Sequence, residues 1–349
     1  MTTTFRALLA ATLTVSSPMG SLGATAVLDP VADASIFQNN VDNGSGGGNG
    51  LFVGANTSGF TRRALIAFDI AGEIPQGSII ENVTLIATLG DVPINNALPS
   101  VMVGLHRATK SWGEGTTQQQ VPPNDVISMM GQGMTATAGD VTWSSRFHGS
   151  TPATPWTTPG GDFELSPSAS ASVGTTIGAV VAWSSQSMVS DVQGWLDDPT
   201  DNFGWLCKSG SEATASSLRV FFTSDAATAA NWPQLEVSFR VPGDFNGDDL
   251  VDGEDLGEWE AQFGSAGDPS ADADRDEDVD GADFLVWQRQ LGNVPVVATA
   301  ASVPEPKALV LLLLFGLQRS RRLIPAGARA RLVDCNGRPP DAQVLVAQK

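Results

Sequence analysis

Residues 63–70 read RALIAFDI, and residues 83–89 read VTLIATL. In the first segment Ile66, Phe68 and Ile70 alternate with Ala67 and Asp69, so the apolar residues recur with a period of two. This period is typical of a β-strand that packs one of its faces on a core. The segment therefore predicts a strand with one buried face, and the second segment predicts another.

Similar segments continue along the chain, separated by clusters of Gly, Pro, Asn, Asp and Ser: Leu51–Val53, Val101–His106, Gly178–Trp183, Phe203–Cys207, Leu218–Phe222 and Gln234–Arg240. The segment Met188–Leu196 differs, because its apolar residues fall at helical spacing, and Ser187 is the expected N-cap. Many strands and one short helix predict a mainly β fold, a jelly-roll-type β-sandwich over residues 27–242.

The composition of the 349-residue chain excludes several classes of protein. With 42% hydrophobic residues it can bury a core, and with only 16% charged residues it does not resemble a helical bundle. The net charge is −19, and residues 244–283 alone hold 16 acidic residues and one arginine. Because no basic face is available to displace counterions from phosphates, nucleic acid is not an expected partner.

The N-terminal segment, residues 1–26, has the pattern of a secretory signal peptide. Arg6 precedes the apolar stretch Ala7–Val15, and the small-residue site 24–26 reads ATA, so the mature chain is expected to begin at Val27. The alternative is that this stretch is a first strand or core segment. Cys207 and Cys335 do not suggest a disulfide framework, and Cys207 is expected to pack as a small hydrophobic residue.

The acidic block is an internal duplication with a constant offset. Its oxygen-bearing side chains Asp244, Asn246, Asp248, Asp252 and Asp255 recur as Asp272, Asp274, Asp276, Asp280 and Asp283. The match continues beyond the acids at the same offset, because Trp259 recurs as Trp287 and Gly264 as Gly292. A solvated acidic linker, which is the alternative, has no reason to repeat Trp and Gly in phase with its acids.

Oxygen ligands at loop positions 1, 3, 5, 9 and 12 suit a hard cation such as Ca²⁺, with the backbone carbonyls of Leu250 and Asp278 at position 7. Two calcium ions are therefore expected. Each loop leads into a short helix whose apolar residues form one stripe: Leu256, Trp259 and Phe263 in the first repeat, and Phe284, Trp287 and Leu291 in the second. We expect the stripes to pack together only when the loops are held by metal.

Residues 243–292 resemble the type I dockerin domain, a paired EF-hand-like module. The family favours Gly at loop positions 4 and 6, whereas the second repeat has Arg275 and Glu277 there. Glu adopts a left-handed backbone at some cost, so weaker binding is expected at the second site. Positions 10 and 11 lack the Ser-Thr pair associated with cohesin recognition, so calcium binding is implied more directly than a cohesin-like partner.

The C-terminal region resembles a PEP-CTERM sorting signal. A linker at residues 293–302 is followed by Val303-Pro304-Glu305-Pro306, an apolar string at residues 308–317 and three arginines, which together make up residues 303–322. The resemblance implies transient membrane association, with the arginines kept cytoplasmic. The alternative is a buried core strand. Residues 323–349 are expected to be a poorly ordered tail.

The β region shares a pattern with a known family in the stretches at residues 62–70, 74–89, 103–116, 139–147, 155–163 and 188–206. On these stretches, residues 27–242 resemble the DNRLRE-domain family, a relative of carbohydrate-binding modules. The motif that gives the family its name should fall near residues 219–225, where this chain reads RVFFTSD. The resemblance implies a β-sandwich on a secreted or surface protein, with no catalytic activity of its own.

A sugar-binding face needs aromatic rings, polar groups and, for uronates, a cation. The loop at residues 143–163 offers Trp143, Arg146, His148 and Trp156 for this role. The alternative is that both tryptophans cap the core. The Asn/Gly-rich loop Asn39–Gly50 is a second candidate for holding a cation, although a plain flexible loop is the favoured interpretation.

The sequence therefore leads to a secreted or envelope-attached, non-catalytic module. Its sandwich is expected to bind polysaccharide, and its calcium-loaded repeats are expected to dock to a protein. The alternatives are a structural surface or matrix protein with protein partners and, with less support, a glycoside hydrolase or polysaccharide lyase. Catalysis has little support because the chain has two histidines, no tyrosine and no recognised nucleophile motif.

Overall fold

A computed structural model describes residues 24–118, 131–248, 250–267, 269–274 and 276–292. Within these ranges the protein is mainly β, as the sequence predicts. The strands are β1 Ala24–Leu28, β2 Ala32–Phe37, β3 Asn43–Gly44, β4 Gly50–Ala55, β5 Thr61–Ala67, β6 Ile79–Asp91, β7 Val101–Arg107, β8 Met134–Thr135, β9 Ala169–Val173, β10 Val180–Ser184, β11 Trp205–Ser209, β12 Arg219–Phe222 and β13 Gln234–Arg240. The helices are α1 Ile70–Glu73, α2 Gln186–Asp197, α3 Gly253–Gln262 and α4 Gly281–Gln290.

Eleven strands form one curled antiparallel sheet. Its path runs β1-β13-β6-β12-β4-β5-β11-β7-β9, with β10 added beside β6 and β2 beside β5. The short strands β3 and β8 pair separately. The sheet alone therefore brings distant parts of the chain together, and β6 pairs with three other strands.

The main core lies inside the curl and draws on both halves of the sheet path. Trp205 in β11 and Trp195 in α2 are almost fully buried, and their ring centroids lie 4.6 Å apart at an interplanar angle of 62°. Trp183 in β10 donates a hydrogen bond from Nε1 to the carbonyl of Val103 in β7 at 2.9 Å. Burial of large apolar side chains contributes about 1.5–3 kcal/mol each.

The prediction that RALIAFDI has one buried face is wrong, because both faces of β5 are buried. Ile66 belongs to the main core, whereas Leu65 packs in a second apolar cluster with Ala34, Ile36 and Leu206. That cluster is covered by Trp143 and Trp156 from the long loop between β8 and β9. The loop thus acts as a second layer on the outer face of the sheet.

The predicted helix is confirmed as α2, but its expected cap is not. The side-chain oxygen of Ser185, not of Ser187, accepts the hydrogen bond from the backbone N–H of Met188 at 3.1 Å. The helix therefore begins at Gln186, earlier than the apolar pattern alone indicates. Its buried face carries Val192, Trp195 and Leu196 as expected.

Five strands, β1, β2, β3, β8 and β9, were not expected from the sequence. Residues Ala24–Ala26 of β1 pair with Val237–Phe239 of β13. Cleavage after Ala26 would leave only Val27 and Leu28 of this strand. The apolar stretch Ala7–Val15 of the expected signal peptide lies outside the described residues.

The C-terminal predictions also fall outside the part of the chain that the structure describes. These are the linker at 293–302, the sorting signal at 303–322, the tail at 323–349 and Cys335. Among the described residues, no helix combines the length and the apolar character needed to cross a bilayer. Cys207 packs in the main core, as expected, and burial raises the pKa of its thiol to about 12.

Candidate metal centre in the acidic repeats

The last carboxylate of each acidic loop is fully buried and ties the two ends of the loop together. Oδ1 of Asp255 accepts hydrogen bonds from the backbone N–H groups of Phe245 and Asn246 at 2.8 and 3.1 Å, and Oδ2 accepts one from Asp252 at 2.7 Å. An ionised carboxylate has about four acceptor positions, so three donors do not exhaust Asp255.

Asp283 repeats this arrangement in the second loop. Its Oδ1 accepts from the N–H groups of Ala273 and Asp274 at 2.6 and 3.3 Å, and its Oδ2 accepts from Asp280 at 2.7 Å. Asp252 and Asp280 in turn cap α3 and α4. Each helix therefore begins with a reciprocal capping box, which favours the start of a helix that is too short to be stable alone.

Three other oxygen-bearing side chains of the first loop accept hydrogen bonds that curl its backbone. Oδ1 of Asp244 accepts from the N–H of Gly247 at 2.7 Å, Oδ1 of Asn246 accepts from Asp248 at 2.9 Å, and Oδ1 of Asp248 accepts from Leu250 at 2.9 Å. Short-range bonds of this kind are typical of tight turns. They hold the loop backbone in a series of tight turns.

The second loop concentrates negative charge. Asp272, Asp274 and Asp276 each offer an oxygen within 4.8 Å of the other two, and Asp278, Asp280 and Asp283 do the same. Loss of hydration raises the pKa of Asp274, and repulsion from Asp276, Asp283 and Asp272 raises it further. The pKa of Asp278 is raised for the same two reasons. A bound cation would relieve this repulsion.

The two repeats contact each other reciprocally. Trp259 Nε1 donates to the carbonyl of Asp280 at 3.0 Å, and Trp287 Nε1 donates to the carbonyl of Asp252 at 2.8 Å. Each donor thus binds the N-cap residue of the other repeat. This explains why tryptophan recurs in phase with the acids: its indole joins one loop to the other.

A second reciprocal pair uses valines that the sequence analysis did not single out. Gly264 donates to the carbonyl of Val279 at 2.8 Å, and Gly292 donates to that of Val251 at 2.9 Å. Both glycines have a positive φ, 81° and 83°, which a side chain would disfavour. Val251 and Val279 are buried and lie at loop position 8. The sequence offset that relates the acids of the two loops also relates Val251 to Val279, so the same comparison could have identified this pair.

The apolar stripes of the two helices meet, but their last members stay more than half exposed. Phe263 contacts Trp259 of its own repeat, with ring centroids 5.0 Å apart. The rings of Trp259 and Phe284 lie 5.2 Å apart, and those of Phe284 and Trp287 lie 5.5 Å apart. Phe263 and Leu291 are 59% and 51% exposed. The expectation for these two residues is wrong, because α3 ends at Gln262 and α4 at Gln290, and the chain turns away after them.

The repeats also pack against the β domain. Phe245 and Trp287 belong to the same apolar cluster as the main core of the sheet. At Gly243 the approach is close, since an added Cβ would lie 2.9 Å from the Cα of Trp287. A side chain at position 243 would therefore separate the second helix from the start of the first loop.

The expected glycan residues lie near one another in the long loop but do not form an aromatic platform. Trp143 is 8% exposed and Trp156 is 4% exposed, and Trp156 Nε1 donates to the carbonyl of Thr142 at 2.9 Å. Their burial leaves little ring surface to stack on a sugar and favours the alternative, that they cap the core. Arg146 donates to the carbonyl of Ser111 at 3.0 Å, and His148 is half-buried.

The Asn39–Gly50 loop is packed instead of flexible over residues 44–50. Gly46 lies so close to Glu114 that an added Cβ would be 2.0 Å from its carbonyl oxygen. Asp42 is exposed and accepts a hydrogen bond from Ser144 Oγ at 2.8 Å. The glycines of this loop therefore permit close packing.

Comparison with protein-family models gives no match for this chain. A search of curated proteins likewise finds none with significant similarity.

Proposed function

We propose that this chain is an exported, non-catalytic binding protein in which a dockerin-like pair of calcium loops attaches a β domain to a partner. The observation that carries the proposal is the reciprocal packing of two loops with calcium-type ligand spacing. Each loop is closed by a buried carboxylate, Asp255 or Asp283, and is joined to the other by a tryptophan.

Calcium is the chemistry that fits these loops best. The donors are carboxylate, amide and carbonyl oxygens, which hard cations prefer, and the chain offers no sulfur or imidazole among them. Asp274 and Asp278 carry raised pKa values because they lose hydration and because other acids surround them. A divalent cation would offset that repulsion and hold the two ends of each loop together, so that folding and binding are coupled.

Titration calorimetry of the full chain with Ca²⁺ tests the proposal. Asp248→Ala and Asp276→Ala each remove an exposed ligand at loop position 5. Each is expected to lower the number of bound ions by one or to weaken one site at least tenfold. Glu260→Gln, an exposed acid on α3 outside both loops, is the matched control and should leave the titration unchanged. Identical titrations for all four proteins would overturn the proposal.

Docking is supported by exposed apolar side chains at equivalent places in the two repeats. Phe263 and Leu291 each follow the last residue of their helix, and both are more than half exposed. We propose that a protein partner, cohesin-like or otherwise, covers them. A Phe263→Ser, Leu291→Ser double variant should no longer bind the partner, but it should still bind calcium as the wild type does. A variant that binds the partner as tightly as the wild type would contradict this location.

We further propose that the curled sheet is a β-sandwich of jelly-roll type. Its support is that the main core contains side chains from both halves of the sheet path, for example Leu235 of β13 and Leu105 of β7. The hydrogen bond from Trp183 to Val103 joins the two halves across this core. An experimental structure of the chain tests this assignment directly.

Polysaccharide binding by the β domain is a second proposal, with a different location from the tryptophan loop. A cleft of about 310 Å³ is lined by Asn56, Thr57, Ser58, Arg62, Pro93, Gly131, Gln132 and Leu218. Hydroxyl and amide groups of this kind suit sugar hydroxyls. The proposal predicts that Gln132→Ala weakens binding on a glycan array and that Trp156→Phe, which keeps the ring buried, does not.

The burial of Trp143 and Trp156 also favours the alternative of a structural surface or matrix protein with protein partners. An absence of binding to every acidic and neutral glycan on the array would support this alternative. Assays for reducing ends and for unsaturated products test the remaining alternatives, a glycoside hydrolase or a polysaccharide lyase. Both assays are expected to be negative.

The proposed location is extracellular or at the cell envelope. Its support is the order of sequence elements at both ends of the chain: the signal peptide at residues 1–26 and the PEP-CTERM-like segment at 303–322. Fractionation of producing cells tests it. Full-length protein found only in the cytosol would contradict both terminal signals.

A further inference from the structure

We infer that the β domain holds a third divalent cation, bound by Asp33, Glu114 and Asp225. These residues come from β2, from the segment after β7 and from the turn after β12, so they are distant in sequence. Each offers a carboxylate oxygen within 4.8 Å of an oxygen of the other two. The cluster lies in the β domain, and its residues are separate from those of the acidic repeats.

The buried carboxylate of Asp33 is the observation that distinguishes this cluster from a group of surface acids. Asp33 is 0% exposed. Its Oδ2 accepts a hydrogen bond from the backbone N–H of Ser224 at 2.8 Å, whereas its Oδ1 is buried and has no hydrogen-bond partner among the described residues. A buried carboxylate with an unused oxygen is costly unless a cation or donor satisfies it.

The surrounding structure holds the three acids in place. Oε1 of Glu114 accepts from the backbone N–H of Asp33 at 2.8 Å, so the first two ligands are fixed to each other. Asp225 donates its N–H to Thr223 Oγ1 at 3.2 Å, and Thr223 Oγ1 donates to the carbonyl of Gly48 at 2.8 Å. The packed glycine loop therefore contacts the segments that carry Glu114 and Asp225.

The electrostatics agree with this geometry. Burial, together with repulsion from Glu114 and Asp225, raises the pKa of Asp33 to about 7. Burial also raises the pKa values of Glu114 and Asp225. Among the described residues, no ion pair joins any of the three to a lysine or arginine. A divalent cation would supply the missing positive charge.

The dimensions and the donor type fit Ca²⁺. Calcium binds oxygens at about 2.3–2.6 Å, so two ligands on opposite sides of the ion lie about 4.6–5.2 Å apart. The spacing of at most 4.8 Å between the three oxygens is compatible with one shared ion. Three carboxylates are also the hard ligands that calcium prefers.

The test is to count calcium ions per chain after equilibrium dialysis of the full chain. Asp33→Asn and Asp225→Asn are each expected to retain one ion fewer than the wild type. Asp29→Asn, an exposed acid that precedes β2, is the matched control and should retain the wild-type number. The test compares ion counts between the wild type and each variant. The expected difference of one ion is therefore the same whether the acidic repeats bind two ions or none.

Thermal melting separates a metal site from a structural carboxylate. In chelator, Asp33→Asn should melt at the same temperature as the wild type or higher, because an amide avoids burying a charge. In Ca²⁺ the wild type should melt at the higher temperature, because the bound ion stabilises its site and not that of the variant. Asp225 is exposed, so its variant remains folded even if the Asp33 variant does not. Equal ion counts in the wild type and the Asp225 variant would overturn the inference and leave a shared proton as the explanation of the cluster.

Discussion

Asp140 of the β domain and Asp274 of the acidic repeats lie in opposite surroundings. In the β domain Asp140 accepts hydrogen bonds from the N–H groups of Thr116 and Thr137 at 2.9 and 2.6 Å and from the hydroxyl of Thr117. Burial raises the pKa of Asp140, but these donors lower it more, so the net shift is downward. In the second repeat the pKa of Asp274 is raised, first by loss of hydration and then by repulsion from the surrounding acids.

This difference indicates two sources of stability in one chain. The β domain rests on a large apolar core, and its own donors satisfy acids such as Asp140. The repeats bury few large apolar side chains, chiefly Phe245, Val251, Val279 and Trp287. Their acids lack a matching set of cations, because the net charge of residues 244–283 is strongly negative. We therefore expect the repeats to need calcium in order to fold, whereas the β core should stay folded without it.

Removing calcium with a chelator should have the largest effect. Each site contributes about 4 kcal/mol when free calcium is about 1,000 times the dissociation constant. We expect α3 and α4 to lose protection against hydrogen exchange while β5, β7 and β11 keep theirs. Hydrogen exchange read by mass spectrometry resolves the two regions.

Cys207 supplies the control for that experiment. Its buried thiol should stay unreactive towards a thiol reagent in chelator, in a chain that carries Cys335→Ser. Reaction of Cys207 would show that the β core had opened as well. Equal exchange of α3 and α4 with and without chelator would contradict the dependence on calcium.

Trp205→Ala should have the next largest effect. It removes a ring that packs on Trp195 and a hydrogen bond to Oδ2 of Asp191 at 2.8 Å. Loss of a buried tryptophan costs about 3–5 kcal/mol. Urea unfolding should show the same decrease in the free energy of unfolding in calcium and in chelator. A loss that appears only in chelator would mean that the two regions are not stabilised independently.

The reciprocal indole bonds predict a smaller effect within the repeats. Trp287→Phe and Trp259→Phe each remove one hydrogen bond between the repeats, worth about 1 kcal/mol. Trp287 is 8% exposed and reaches the main core, so its variant should lose more stability than the Trp259 variant. Unfolding of both variants in calcium checks this order. No loss in either variant would contradict the reciprocal contact.

Glu277→Gly should have the smallest effect, and it should be favourable. Glu277 has a φ of 70°, a conformation that costs a residue with a side chain about 1–2 kcal/mol. Glycine removes that strain, but it also raises the conformational entropy of the unfolded chain. The free energy of unfolding should therefore rise by only about 0.5–1 kcal/mol. Glu277→Ala is the matched control, because it removes the charge and keeps the strain. Urea unfolding in calcium measures the gain, and an equal gain in both variants would assign the effect to charge.

The helices of the repeats could be predicted because their pattern is local. The spacing of the acids and the helix stripe each lie within a single repeat, whereas the capping role of Asp252 and Asp280 was not predicted. The constant offset between the repeats also brought out Trp259 and Trp287, although not their bonds to Asp280 and Asp252. The packing of the last stripe residue in each repeat was wrongly predicted, because a periodic pattern does not show where a helix ends.

The β domain was less predictable because its contacts are long-range. Most strands were found from their alternation, but β5 has two buried faces, which requires knowing that the loop with Trp143 and Trp156 returns to cover it. Asp33, Glu114 and Asp225 are distant in sequence, and no local spacing connects them. Only the sheet order brings β2 and β12 close enough for these acids to meet.

Anomalous diffraction from crystals of the full chain grown with calcium shows whether the acidic loops bind the ion. We predict one calcium peak in each acidic loop, within about 2.3–2.6 Å of oxygens of Asp244, Asp248 and Asp255 in the first and of Asp272, Asp276 and Asp283 in the second. Well-ordered loops without calcium peaks, at a calcium concentration of several millimolar, would contradict it.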